Sequence, residues 1–228
     1  MPDPSQLSYE PNVARVFNSR EETRHYYNKI ARIYDLMAEH SEGPMREMGI
    51  KLLDVKPGER VLEIGFGTGH SIVELAKAAG PDGLVCGVDL SDKMVDLAQE
   101  FVDAAGFKER VELKRGDGQS LPYPDAMFDA LFTSFTLELF DTPEIPRFLA
   151  ECKRVLKPGG RFAVVAVSKL GKDGTIMQAY EWTHKHFPNL VDCRPIYVKA
   201  ALEAAGFKIK TQQVETMWVP VEIILGVK

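Results

Sequence analysis

Residues 60–89, which open with RVLEIGFGTGH and close with LVCGVDL, constrain the fold more than any other stretch of the chain. Val61, Leu62 and Ile64 make a short apolar strand, after which Gly65, Gly67 and Gly69 let the backbone turn tightly and approach a ligand where side chains would obstruct it. Ile72, Val73, Leu75, Ala76 and Ala79 then recur at helical spacing until Gly80-Pro81 stops the pattern. A second strand over 84–88 ends at Asp89. A βαβ unit with a glycine turn after its first strand and an acid closing its second is suited to binding a nucleoside.

The details of the turn discriminate among nucleosides. The dinucleotide fingerprint GxGxxG needs glycine at position 70, where this chain has His70. Glu63, just before the turn, repels a pyrophosphate but favours a ligand carrying ammonium and sulfonium charges. S-adenosylmethionine has those charges and no phosphate. Its carboxylate suits the helix N-terminus near Thr68 and Gly69. An NAD-dependent oxidoreductase is the weaker alternative.

The 228 residues fit one large domain with an ordinary apolar share. A net charge of −5 and a pI near 5.6 provide no basic stripe, so a small-molecule partner is expected and not nucleic acid. The opening MPDPSQLSYEPN is not signal-like, and no apolar run reaches the ~18 residues of a membrane span. The expected location is the cytoplasm, with peripheral membrane contact only for a lipidic acceptor. Cys86, Cys152 and Cys193 are widely spaced and read as buried free thiols, and no metal is expected.

Residues 1–20 read as a flexible arm and 21–228 as a single domain: a helical lid over 21–56, a cofactor-binding core over 57–168, a substrate-side insert over 169–195, and a C-terminal helix and strands over 196–228. The lid pattern predicts one helix over 21–40, with Tyr26, Ile30, Ile33, Tyr34 and Met37 on one face and charges opposite, and a second over 44–53. Tyr34 can pack its ring and hydrogen-bond through its hydroxyl. Ser91 caps a helix carrying Met94, Val95, Leu97, Ala98, Phe101 and Val102. After a strand over 111–113, the Gly116-Asp117-Gly118 turn places a carboxylate to accept from an adenine amino group while backbone near Gly118 reads the ring edge; an ordinary turn aspartate is the alternative. Strands follow at 130–135 and 161–167, with a helix between them, then a helix over 196–207 and strands at 208–214 and 219–227. The fold class is α/β: a Rossmann-like, seven-stranded, mostly parallel sheet with an antiparallel last strand inserted by a hairpin, helices on both faces and an N-terminal helical lid.

Five motifs together resemble the class I S-adenosylmethionine-dependent methyltransferases, and within them the ubiquinone/menaquinone biosynthesis C-methyltransferase family. They are YDLM at 34–37, VLEIGFGTG at 61–69, VDLS at 88–91, GDGQSLPYPDAMFD at 116–129 and RVLKPGGRFAVVAVS at 154–168. The resemblance implies that Thr68 lies against the methionine moiety, that Asp89 takes the ribose hydroxyls, that Asp117 and Gly118 flank adenine, and that Ser134 completes the pocket floor near the reacting methyl. Leu90 and Met94 pack on the adenine face or serve the core. The expected product is S-adenosylhomocysteine.

The chain also departs from that family. After YDLM it continues AEHSEGPMREMG and lacks a tryptophan typical of quinone-methylating members; it reads SFTLEL at 134–139 where they read SFGLRN; and it has Ala166 where glutamate is typical. Glu138 and His184 are the candidates for a catalytic base. Glu138 reads equally as a surface carboxylate at a helix start, and His184 as a solvated loop histidine beside His186 and Trp182. Methylation of a quinone-like or other aromatic acceptor is the leading function; an amine or lipid headgroup as acceptor, and a cofactor-binding regulatory protein without turnover, are the alternatives. The oligomeric state is not legible.

Overall fold

A computed structural model of the chain describes residues 13–16, 18–170, 180, 182–184 and 193–228, with residues 32–40 described by backbone alone. Its centre is the βαβ unit: β1 (Arg60–Ile64), α2 (His70–Ala79) and β2 (Leu84–Asp89), preceded by α1 (Arg20–Leu53). The chain continues through α3 (Asp92–Ala104), β3 (Val111–Arg115), β4 (Phe128–Ser134), α4 (Ile145–Val155), β5 (Leu156–Val167), α5 (Val198–Ala204), β6 (Lys208–Thr216) and β7 (Pro220–Val227). The strands form one seven-stranded sheet in the order β3-β2-β1-β4-β5-β7-β6. β1 pairs parallel with β2 and β4, and β7 runs antiparallel between β5 and β6, so the terminal hairpin forms as the sequence predicts.

Alternation along the strands feeds two cores. Leu131 and Val164 point with Phe148, Phe162 and Leu202 into the layer under α4 and α5. Phe132 and Val165 point with Ile72, Leu75, Ala98 and Leu53 into the layer under α1, α2 and α3. Both faces of the sheet are therefore covered, as a parallel sheet requires.

Two expectations are corrected at the N-terminal side. The pair of helices over 21–40 and 44–53 is a single 34-residue helix with Pro44 inside it. Pro44 forgoes one ladder bond, but the turns after it are held by packing: Met45, Met48, Ile50 and Leu52 lie against the core. At Gly49 an added Cβ would come 2.4 Å from Val165 Cγ2, so glycine there lets the helix rest directly on the sheet. The start of the helix is set by a capping box in which Ser19 and Glu22 bond each other's backbone amides.

The described part of the expected arm is also tied down. Arg15 forms a bidentate pair with Asp141 at 2.6–3.0 Å, and the Val16 amide donates to the same carboxylate. The fully buried Arg194 donates to the Ala14 carbonyl at 2.9 Å. Smaller boundary shifts follow from pairing: β4 begins at Phe128 and β5 at Leu156 because those two residues pair ahead of a bulge.

Candidate functional site

The sheet order reverses direction at β1, with β2 on one side and β4 on the other, and a crevice opens where the loops diverge at the carboxyl ends of those strands. The crevice encloses about 700 Å³ including its open mouth. Gly65 and Gly67 line it after β1, Asp89 and Leu90 after β2, Asp117 and Gly118 after β3, and Ser134 at the end of β4. Met94 joins them from the first turn of α3.

Each glycine of the turn has a separate reason. Gly65 (φ 75°) is crowded, since a Cβ there would come 2.2 Å from Thr136 Oγ1. Gly69 (φ 94°) caps α2, and a Cβ would press on Ala98 at 2.8 Å. Gly67 (φ 55°) faces open space, so its backbone is available for close approach by a ligand. The turn is closed by Asp89, whose Oδ2 accepts the Gly67 amide at 3.0 Å while Oδ1 accepts the Ser91 amide at 2.9 Å. Removal from water raises the Asp89 carboxyl to about 6, and the amides of Ser91, Gly67 and Leu90 hold it from rising further.

Glu63 is buried behind the turn and does not line the crevice. Burial pushes it up to about 8 despite the Ser71 hydroxyl that it accepts and the nearby charge of Arg46. Its second oxygen, Oε2, has no hydrogen-bond partner among the described residues. Thr68 and Gly69 likewise stand outside the lining, and the Tyr34 side chain lies outside the described residues.

At the end of β4 the Ser134 hydroxyl lines the crevice, buried without a hydrogen-bond partner among the described residues. Beyond it come Phe135, Thr136, Leu139 and Phe140. Phe135 has φ 50°, an uncommon conformation for an aromatic residue that costs about 1–3 kcal/mol, held by its amide bonding the Val165 carbonyl at 2.8 Å. Of the two base candidates, Glu138 is fully buried, with Oε1 accepting the Val167 amide at 3.0 Å, so it is not a surface carboxylate and does not line the crevice. His184 is buried too, not solvated, and is absent from the lining; His186 lies outside the described residues.

Sequence reasoning missed the fourth wall. Arg20, Thr23 and Tyr27 of α1 line the crevice at spacings of three and four, the signature of one helical face. The sequence alone draws attention instead to the apolar stripe through Tyr26. Among the described residues no group of three or more His, Cys, Asp or Glu side chains is arranged to hold a metal ion, and no helix is long and apolar enough to cross a membrane.

Residues 61–160 match the family described as "Methyltransferase domain". A demethylmenaquinone methyltransferase of Lactobacillus johnsonii is 34% identical over 167 residues, covering 72% of this chain and 67% of that protein. The chain belongs to the class I S-adenosylmethionine-dependent methyltransferases. A ubiquinone/menaquinone biosynthesis C-methyltransferase of Teredinibacter turnerae is 30% identical over 185 residues, 79% of this methyltransferase and 73% of that one. The solved structure of an S-adenosylmethionine-dependent methyltransferase from Aquifex aeolicus superposes with a TM-score of 0.65 at 27% identity, covering 87% of this chain and 96% of the other.

The crevice of this methyltransferase fits its cofactor. It presents the carboxylates of Asp89 and Asp117, an apolar wall from Ile64, Val88, Leu90 and Met94 suited to a purine, and an orphaned hydroxyl at Ser134. The cation on its wall, Arg20, is engaged with Glu144 and Asp117, which suits a ligand without phosphates.

Proposed function

We propose that this methyltransferase methylates a small aromatic, quinone-like acceptor. The observation that carries the proposal is the apolar part of the lining that follows Ser134, where Phe135, Leu139 and Phe140 offer contacts for a planar ring. The names of the relatives from Lactobacillus johnsonii and Teredinibacter turnerae support the same class of acceptor. An amine acceptor would want a carboxylate on that wall, and the nearest one in sequence, Glu138, is turned to the Val167 amide.

S-adenosylmethionine supplies an electrophilic methyl carbon on a sulfonium. Asp89 would take the ribose hydroxyls and Asp117 the adenine amino group, while Leu90 and Met94 hold the purine faces and the Gly67 backbone allows close approach of the methionine part. Ser134 would hydrogen-bond at the reacting end, and the aromatic wall would exclude water from it. Holding acceptor and methyl carbon in line at contact distance supplies about 7–11 kcal/mol of the barrier, so positioning carries most of the catalysis. Glu138 then supports the end of β5.

Transfer of tritiated methyl to a panel of acceptors tests this. Label should enter a short-chain demethylated naphthoquinol and not an ethanolamine headgroup or a free amine. Label in the amine alone, or in none of them, rejects the proposed acceptor.

A further inference from the structure

The charged face of α1 looks solvated in the sequence, yet it meets the cofactor crevice. Arg20, Arg24 and Asn28 recur at every fourth position and so share one stripe of the helix. Arg20 Nη2 donates to Glu144 Oε2 at 2.5 Å, its Nε makes no hydrogen bond among the described residues but lies in ion-pair range, 3.7 Å from Asp117 Oδ2, and its guanidinium sits 4.2 Å over the Phe140 ring. Gln119 completes the set: its amide donates to Asp117 Oδ1 at 2.9 Å and its side chain to Glu144 Oε1 at 3.1 Å. Two turns along, Asn28 Oδ1 accepts the Ser91 hydroxyl at 2.6 Å and the Lys93 amide at 3.1 Å. Ser91 is the residue whose amide holds Asp89 Oδ1.

One helix thus supports both carboxylates of the crevice. A cation in the first helical position opposes the helix dipole, and Arg20 is kept there by the two acids it faces. We propose that α1 positions the nucleoside-reading carboxylates, with Arg20 orienting Asp117 and Asn28 acting through Ser91 on Asp89. The two residues thereby set selectivity for a 6-aminopurine and for the ribose hydroxyls respectively. This rests on Asp117 and Asp89 being the adenine and ribose acceptors. A carboxylate fixed in one orientation accepts from a 6-amino group and repels a 6-oxo group, whereas a loose one can turn away.

Calorimetry with S-adenosylhomocysteine, S-inosylhomocysteine and 2′-deoxy-S-adenosylhomocysteine tests it. Wild type should prefer the first ligand over each of the others by about tenfold or more. Arg20→Met should reduce the preference over the inosyl ligand by about tenfold and leave the preference over the deoxy ligand unchanged; Asn28→Ala should do the reverse. Arg20→Lys and Asn28→Ser, the milder pair if either variant fails to fold, should show the same crossed pattern at smaller size. Equal weakening of all three ligands in either pair overturns the proposal, because a merely structural helix would act that way. A wild type without either preference rejects the adenine and ribose assignments themselves.

Discussion

Asp89 Oδ2 accepts the Gly67 amide at 3.0 Å, so the acid at the end of β2 closes the glycine turn at the end of β1. The carboxylate that would take the ribose also shapes the loop beneath the methionine part. With its carboxyl raised to about 6 by burial, Asp89 is protonated below that pH and accepts poorly from ribose hydroxyls. Affinity for S-adenosylhomocysteine should be flat above pH ~7 and fall as pH drops through about 6, by up to tenfold per unit. Asp89→Asn should bind at least about tenfold more weakly at pH 7.5 and lose that pH dependence. Titration calorimetry across pH 5–8 checks both.

Glu63 makes a stability prediction of the opposite kind. Its folded carboxyl lies near 8, far above the ~4.3 of an unfolded glutamate, so its contribution to stability is full below about pH 4 and is lost as pH rises through about 8. Without cofactor, the wild-type melting temperature should fall between pH 6 and 8, a window above the range where Asp89 contributes. Glu63→Gln, neutral throughout, should flatten that slope and melt higher at pH 8. A slope unchanged by the substitution would count against a protonated Glu63.

The first two glycines of the turn should separate stability from binding. Gly65→Ala meets Thr136 Oγ1 at 2.2 Å as well as an unfavourable φ, and should lose about 2–4 kcal/mol in chemical denaturation. Gly67→Ala meets nothing within 4 Å and should lose only about 1–2 kcal/mol for its left-handed φ. Its methyl lies on the crevice wall, so cofactor affinity should suffer more than the fold does.

Ser134→Ala removes a buried hydroxyl that has no hydrogen-bond partner among the described residues. The melting temperature without ligand should stay the same or rise, while kcat/KM falls by about tenfold. A fall in stability would place the hydroxyl in the fold and not in the reaction.

Glu138→Gln keeps an acceptor for the Val167 amide and removes the carboxyl that a general base would need. Turnover should stay within about tenfold of wild type, with an unchanged pH profile; a far larger loss, on the order of the 10²–10⁴ that a general base supplies, would restore Glu138 as the base.

The cofactor half of this site was legible because it is local. A strand, three glycines and an acid lie within thirty residues, and each does its work through backbone conformation or through an amide close by. Asp117 and Ser134 were legible for a related reason, since one follows β3 by two residues and the other ends β4 of the same sheet. Arg20, Tyr27 and Asn28 were not, because their meaning depends on where α1 docks, and that is decided by Gly49 and Phe132 far from the crevice. Glu138 and His184 misled in the opposite direction: polarity in a loop suggests exposure, whereas both side chains are buried. Pro44 misled as well, because its local preference to end a helix is outweighed by the apolar turns that follow it.

That proline divides α1 into two working parts. The turns after it are bolted to the sheet through Gly49 and the methionines, and the turns before it carry Arg20 to the crevice and Asn28 to Ser91. The missing rung of the ladder makes Pro44 the cheapest place for the rod to bend. A residue on the solvent side, touching neither cofactor carboxylate, therefore bears on the crevice only through the direction α1 takes.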